Sequence, residues 1–167
     1  MQAILGLGSN LGDKLENLKS AIDMISNLIN TELEKVSNFY ETEPFEVPNA
    51  QDRYINCCVK IKTTLSPHVL LGACFGIESA LGRTRPFTHA SRIIDIDLLL
   101  YENTSCTSKE LTLPHPGIKF RDFVMIPLRD ICPDNKFGNF DFSTEINNLD
   151  SVYPKFGILK SGSITFK

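Results

Sequence analysis

No stretch of the 167-residue chain holds an apolar run of the length a bilayer-spanning helix needs. Its first residues lack the basic start and apolar core of a secretion signal, so a cytoplasmic protein is expected. Charge of one sign is not in surplus either: 17 Lys and Arg face 20 Asp and Glu, a net of −3. That balance creates no global field for nucleic acid or an anionic membrane, so any anion site has to be local. Cys-x-x-Cys spacing is absent. The five cysteines, at 57, 58, 74, 106 and 132, are odd in number, and Cys57 and Cys58 point to opposite faces of a strand. They read as buried thiols of a reducing compartment. The chain has no phosphate loop ending in Lys-Ser or Lys-Thr. Its nearest approach to a dinucleotide fingerprint, Gly6-Leu7-Gly8-Ser9-Asn10-Leu11-Gly12, has the wrong spacing. It reads as a structural turn whose backbone can approach a ligand.

What is present suits one soluble globular domain: 42% hydrophobic and 22% charged residues over this length. Residues 2–8 alternate into an apolar strand. Asp13 and Glu16 make a capping-box-like start for a helix over 14–29, with Leu15, Leu18, Ile22, Ile25 and Ile29 on one stripe. A strand over 33–41 follows, then a polar, Pro-containing loop over 42–53 that is long for a hairpin. The strand over 54–64 puts Tyr54, Asn56 and Cys58 on one face and Ile55, Cys57, Val59 and Ile61 on the other. Ser66 and Pro67 open a helix that runs to Leu81 and closes at Gly82. With the strand that ends at Tyr101, the order is β-α-β-β-α-β. This is the ferredoxin-like α+β pattern, an antiparallel four-stranded sheet with two helices on one face. Residues 120–131 read as a helix broken or kinked at Pro127, and the chain beyond Cys132 has only weak periodicity.

The chemistry concentrates between Gly82 and Tyr101. Ile94, Ile96, Leu98 and Leu100 alternate with Asp95 and Asp97, which puts both carboxylates on one face, about 6–7 Å apart. That separation lets them share a cluster of hard cations. Asp is depleted in strands and like charges on one face repel, so the pair needs a reason. Upstream, Arg83, Arg85 and Arg92 sit on a Pro-containing loop. Carboxylates for Mg²⁺ and guanidinium forks for phosphate oxygens are what polyphosphate chemistry requires. The competing reading is an edge strand with two solvated aspartates beside surface arginines. Tyr54 and Asn56 also admit two readings: a ring that stacks a flat heterocycle beside an amide that reads its edge, or a packed tyrosine and a turn cap. His115 is held between Pro114 and Pro116, and as a lone histidine it is more often a structural hydrogen-bonder than a catalyst. Arg121 and Phe123 can face the same cleft.

In chain order, these motifs are Gly8-Ser9-Asn10, Tyr54-Ile55-Asn56, Glu78 with Gly82-Arg83-Thr84-Arg85, Arg92-Ile93-Ile94-Asp95-Ile96-Asp97, Leu113-Pro114-His115-Pro116 and Arg121-Asp122-Phe123. The ordered set resembles the hydroxymethyldihydropterin pyrophosphokinase family. The resemblance implies a ferredoxin-like core with C-terminal additions. It also implies transfer of pyrophosphate from ATP to 6-hydroxymethyl-7,8-dihydropterin, with release of AMP, in folate biosynthesis. By the same resemblance Asp95 and Asp97 hold two Mg²⁺ ions, and Arg83 and Arg92 act on the transferring group. It assigns Thr42, the backbone near Phe45, Tyr54, Asn56, Asp95 and Phe123 to the pterin. To the nucleotide it assigns Arg83, Arg85, Arg92, the backbone near Leu98, Thr112, His115 and Arg121. It further implies a single pyrophosphokinase domain over 1–160, with a tail over 161–167 that can border a fused folate-pathway partner domain. Two departures stand out: the chain has no tryptophan, and Phe75 occupies a position where some relatives carry a polar nucleotide contact.

Two other function classes compete. A ferredoxin-like module that binds RNA predicts a basic sheet with exposed aromatics, which the acidic pair and the net charge disfavour. A small-ligand-binding module, or another Mg²⁺-dependent phosphotransferase or nucleotidyltransferase, would leave Tyr54, Asn56 and Phe123 without an evident purpose.

Overall fold

The computed structural model describes residues 1–44, 51–83, 90–150 and 157–159. Alternation organises the middle of the sheet. In β1 (Gln2–Ser9), Ala3, Leu5 and Leu7 are buried against the helices on one face, while Ile4 is buried on the other. Helix α1 (Lys14–Ser26) follows, then β2 (Thr31–Val36), β3 (Phe39–Thr42), β4 (Tyr54–Thr63), helix α2 (Pro67–Ala80) and β5 (Asp95–Tyr101). β1 pairs antiparallel with β4 on one side and with β5 on the other. β4 carries both β2 and β3 along its outer edge, again antiparallel. The result is a mixed fold of helices and antiparallel sheet.

α1 starts where Asp13 accepts a hydrogen bond from the Glu16 backbone N–H. It buries Leu18, Ala21, Ile22 and Ile25 against the sheet, and α2 buries Leu70, Cys74 and Ile77 beside it. These two helices cover one face with an apolar core. The expected stripe is shorter than periodicity implies. The α1 helix ends at Ser26, where Ser26 and Asn27 side chains both donate to the Asp23 carbonyl, and Ile29 is 74% exposed. α2 ends at Ala80, and Gly82, at φ +83°, turns the chain out of it, a conformation that favours glycine.

The strand expected over 33–41 is interrupted at Ser37 and Asn38. The ladder survives the break because the Ser37 N–H donates to the Cys58 carbonyl and the Cys58 N–H donates to Ser37 Oγ, both at 2.9 Å. The expectation that Leu100 shares a face with Leu98 is corrected by a β-bulge. Leu5 pairs with Leu98 and Ile4 with Leu100, which leaves Leu99 as the extra residue. Leu98 and Tyr101 therefore join the core under α1 and α2, whereas Leu99 and Leu100 pack on the opposite face.

That opposite face is covered by α3 (Asp122–Ile131) and α4 (Ser143–Asp150). Between β5 and α3 lie the short pair β6 (Cys106–Thr107) and β7 (Thr112–Leu113) and a 3-10 turn, Ile118–Phe120. Of the helix expected to be broken or kinked at Pro127, the break does not occur: α3 is one continuous element with Pro127 inside it, so the lost backbone donor costs one bond without ending it. Asp130 clamps α3 to the sheet by accepting from the Asn38 N–H, the Asn38 side chain and Tyr40 Oη at 3.0, 3.0 and 2.7 Å. The weakly periodic C-terminal region also folds. β8 (Lys136–Phe137) and β9 (Phe140–Asp141) form a hairpin, and Phe137, Phe142 and Ile146 complete the second core with Val124, Met125 and Leu128. β10 (Gly157–Leu159) pairs with β3 at the sheet edge.

Candidate active site

The second core does not cover the whole face. Beyond α3 the sheet is left open as a cleft of about 140 Å³. β1 and β4 supply its floor, including Gly6, Gly8, Asn56 and Cys58; β5 supplies Asp95, Asp97 and Leu99. Thr42 and Glu43 close one end, and Arg121, Phe123 and Val124 at the start of α3 form a wall. Strand alternation explains why polar groups reach this space. Residues flanking Asn56, Asp95 and Asp97 point into the apolar core, so these three point away from it.

Tyr54 and Asn56 on β4 and Phe123 on α3 all line the cleft. Asn56 is buried, and its Nδ2 donates to Thr42 Oγ1 at 2.7 Å. In this orientation of the carboxamide, Oδ1 lies over the cleft floor, close to Gly8. Burial raises the Tyr54 pKa, so its ring stays neutral.

The charged half of the cleft is a network. Arg83 pairs with Glu78 and, at 2.6 Å, with Asp95 Oδ1; Arg92 pairs with Asp95 Oδ2. Burial is the largest single influence and opposes the Arg92 charge, but Asp95, Tyr54 and Asp97 together outweigh it and the pKa is raised. Asp97 has no cation at ion-pair distance among the described residues. Burial, and after it the charge of Asp95, raises its pKa to about 6. Among the described residues, the buried Arg83 Nε has no hydrogen-bond partner. The site therefore holds one carboxylate with two guanidiniums and a second that burial has made hard to ionise.

Two residues hold this network in place. The carboxylate of Glu78, buried on α2, accepts the Ile96 N–H at 2.7 Å and so sets where β5 begins. Asn10 accepts the Arg92 N–H at 2.7 Å and donates to Gln51 Oε1 at 3.0 Å, tying the arginine segment to the start of β4. Neither was assigned a role from the sequence. The available signal was a lone acid on an otherwise apolar helix stripe and an Asn directly after the β1 glycine turn.

Of the remaining predicted residues Arg121 is part of the cleft wall, whereas His115, Thr112 and Leu98 do not line it. His115 is tethered by donation of its N–H to the Leu99 carbonyl at 2.8 Å. Its Nδ1 accepts the Gly117 N–H at 3.1 Å, so the neutral ring carries its proton on Nε2. Burial, then the neighbouring Arg121 charge, lowers the His115 pKa and keeps that ring neutral. Arg121 lies 5.9 Å from the centre of the Phe123 ring. Thr112 belongs to β7, and the Leu98 side chain is buried in the core under α1 and α2. The predictions for Phe45 and Arg85 lie outside the described residues. No helix among the described residues is long and apolar enough to cross a membrane.

Comparison with known proteins adds to this geometry. The model of the 7,8-dihydro-6-hydroxymethylpterin-pyrophosphokinase (HPPK) family matches residues 4–133. Over 149 residues the chain is 39% identical to a 2-amino-4-hydroxy-6-hydroxymethyldihydropteridine pyrophosphokinase of Methylorubrum extorquens, which covers 89% of this chain and 94% of that protein. It is 40% identical over 132 residues to the folic acid synthesis protein fol1 of Schizosaccharomyces pombe, covering 79% of this chain and 18% of that one. Among solved structures, Plasmodium falciparum HPPK-DHPS wild type with SDX-DHP superposes with a TM-score of 0.66 at 17% identity. That alignment spans 90% of this chain and 44% of the Plasmodium chain, a likeness of fold.

Proposed function

The chain belongs to the 7,8-dihydro-6-hydroxymethylpterin-pyrophosphokinase family, and from that membership we propose how its cleft moves a pyrophosphoryl group from ATP to 6-hydroxymethyl-7,8-dihydropterin in folate biosynthesis. The observation that carries the reading is the joining, in one cleft, of a stacking and amide-bearing half (Tyr54, Asn56, Phe123) to a carboxylate and guanidinium half (Asp95, Asp97, Arg92, Arg121). The pterin ring lies between Tyr54 and Phe123, with Asn56 Oδ1, Thr42 and the backbone near Phe45 reading its edge. Its hydroxymethyl group then points toward Asp95.

Asp95 and Asp97 fit Mg²⁺. They are hard oxygen donors on one strand face, and among the described residues no group of three or more His, Cys, Asp or Glu gathers to hold a metal. Magnesium is commonly held by one or two carboxylates with substrate phosphates and water completing the shell. The raised Asp97 pKa fits a carboxylate whose counter-charge arrives with the substrate. When bound, two such ions neutralise charge on the phosphates and on the departing AMP oxygen. Arg83 and Arg92, shared on Asp95 in the ligand-free chain, exchange that carboxylate for phosphate oxygens, and the unpartnered Arg83 Nε offers a further donor. Arg85, Arg121, Thr112, His115 through Nε2–H and the backbone near Leu98 hold the nucleotide.

The strand order β2/β3-β4-β1-β5 supports a ferredoxin-like βαββαβ core, with everything after β5 as C-terminal addition. We take residues 1–160 as one domain and 161–167 as a tail where a partner folate enzyme can be fused, as in the relatives with composite names. The free cysteines suit work in a reducing cytoplasm.

The test is nucleotide analysis after a few turnovers with ATP, Mg²⁺ and the reduced pterin. AMP should appear in step with a pterin pyrophosphate, and neither without the pterin. ADP as the stoichiometric product would overturn the assignment.

A further inference from the structure

The middle strand carries two glycines on its cleft face, and their register places them between the two halves of the site. Gly8 stands opposite Asn56 on β4 and opposite Asp95 on β5; Gly6 stands opposite Cys58 and Asp97. Neither glycine has a left-handed backbone, so conformation does not demand them. Glycine inside a strand weakens it and commonly marks a close approach. The space above each differs. A Cβ at Gly6 would meet the end of the Leu99 side chain at 3.0 Å, an apolar contact that involves no polar group of the site. A Cβ at Gly8 would lie 2.7 Å from Asn56 Oδ1. That carboxamide cannot simply swing away, because its other end donates to Thr42 Oγ1 at 2.7 Å and the residue is buried.

We infer that Gly8 is a positioning residue for pterin recognition: its bare backbone seats the Asn56 carboxamide oxygen and keeps open the lane from the pterin edge to Asp95. Directly opposed side chains in an antiparallel ladder stand about 4.5–5.5 Å apart. Any side chain at position 8 therefore rises between Asn56 and Asp95, where the reacting hydroxymethyl group has to pass. The inference rests on the pterin reading of the cleft and adds a residue that touches the chemistry only through Asn56 and through the space it leaves empty.

The experiment is a double-mutant cycle in the full chain, reading pterin affinity, ATP affinity and turnover for wild type, Gly8→Ala, Asn56→Ala and the double variant. Gly8→Ala should weaken pterin binding roughly 5- to 100-fold, the range for displacing a buried hydrogen-bonding group, with ATP binding alone unchanged. In the Asn56→Ala background the same change should leave pterin affinity nearly where Asn56→Ala put it, since the group it displaces is gone. Gly6→Ala, which meets only Leu99, should affect pterin binding less than Gly8→Ala. Unchanged pterin affinity in Gly8→Ala, or additive losses in the double variant, would overturn the inference. Should Gly8→Ala not fold, pairing it with Asn56→Ser shortens the opposing side chain and should restore folding; a pair that still fails to fold also overturns it. A wild-type protein that does not bind the pterin would defeat the proposed function itself, a result separate from any outcome of the cycle.

Discussion

The two faces of the sheet are built from the same strands and obey different rules. Under α1 and α2 the inward positions are mostly apolar and closely packed, from Leu5 and Leu18 to Ile61 and Leu70, with Ser9 and Glu78 as buried polar exceptions. The other face is divided. Ile4, Leu99 and Leu100 pack against α3, while Gly6, Gly8, Asn56, Asp95 and Asp97 are left to the cleft. One face supplies the burial that stabilises the chain, about 25 cal/mol per Å² of apolar surface removed from water. The other leaves a bare strand floor and a carboxylate that burial makes costly to ionise. Buried polarity collects along the cleft, and the opposite face offsets its cost.

Breaking either side of this contrast should give separable results. The largest effect is expected from Asp95→Ala, which removes the carboxylate that both arginines share; turnover should fall about a thousandfold or more with the fold retained. A near-wild-type rate at unchanged Mg²⁺ would sink the division of labour. On the helix side, Ile22→Ala should cost about 2–5 kcal/mol of stability in denaturant unfolding. Activity per folded molecule should stay as it was, and a selective loss of turnover would blur the two faces. The subtlest effect concerns Asp97. Its pKa rises from an ordinary 3.8 to about 6 in the folded chain, so the native state binds more protons than the unfolded state between those values. Stability of the ligand-free protein should therefore fall as pH rises from about 4 to about 6. Asp97→Asn should flatten that slope and leave the ligand-free chain more stable than wild type at neutral pH, while abolishing activity. A variant less stable than wild type at neutral pH would show that Asp97 supports the fold.

Period-2 alternation made the faces of β4 and of the start of β5 legible, and with them the placement of Tyr54, Asn56, Asp95 and Asp97. It did not reveal the bulge, because Leu98, Leu99 and Leu100 are all apolar and a uniform run carries no phase. Glu78 escaped for another reason: its partner is the backbone of Ile96, contributed by a strand that follows the helix after an intervening loop. A carboxylate whose role is to receive a main-chain N–H leaves no spacing motif. α4 was illegible because it is short and polar, and few of its side chains, Ile146 chief among them, join the second core. Ile29 fitted the helical stripe, but Asp23, Ser26 and Asn27 had already closed the helix through side-chain and backbone bonds.

The extra residue at Leu99 gives β5 a parity. Upstream of it, odd-numbered positions look into the cleft; downstream, the even-numbered Leu100 looks to that side and Tyr101 turns away. Deleting one leucine from the run 98–100 should therefore remove the bulge and leave plain alternation, with Asp95 and Asp97 still on the cleft side and Tyr101 still turned to the core. Deleting two cannot be silent, because it turns either both aspartates into the apolar core or Tyr101 out of it. Tolerance in this strand should follow arithmetic as much as hydrophobicity.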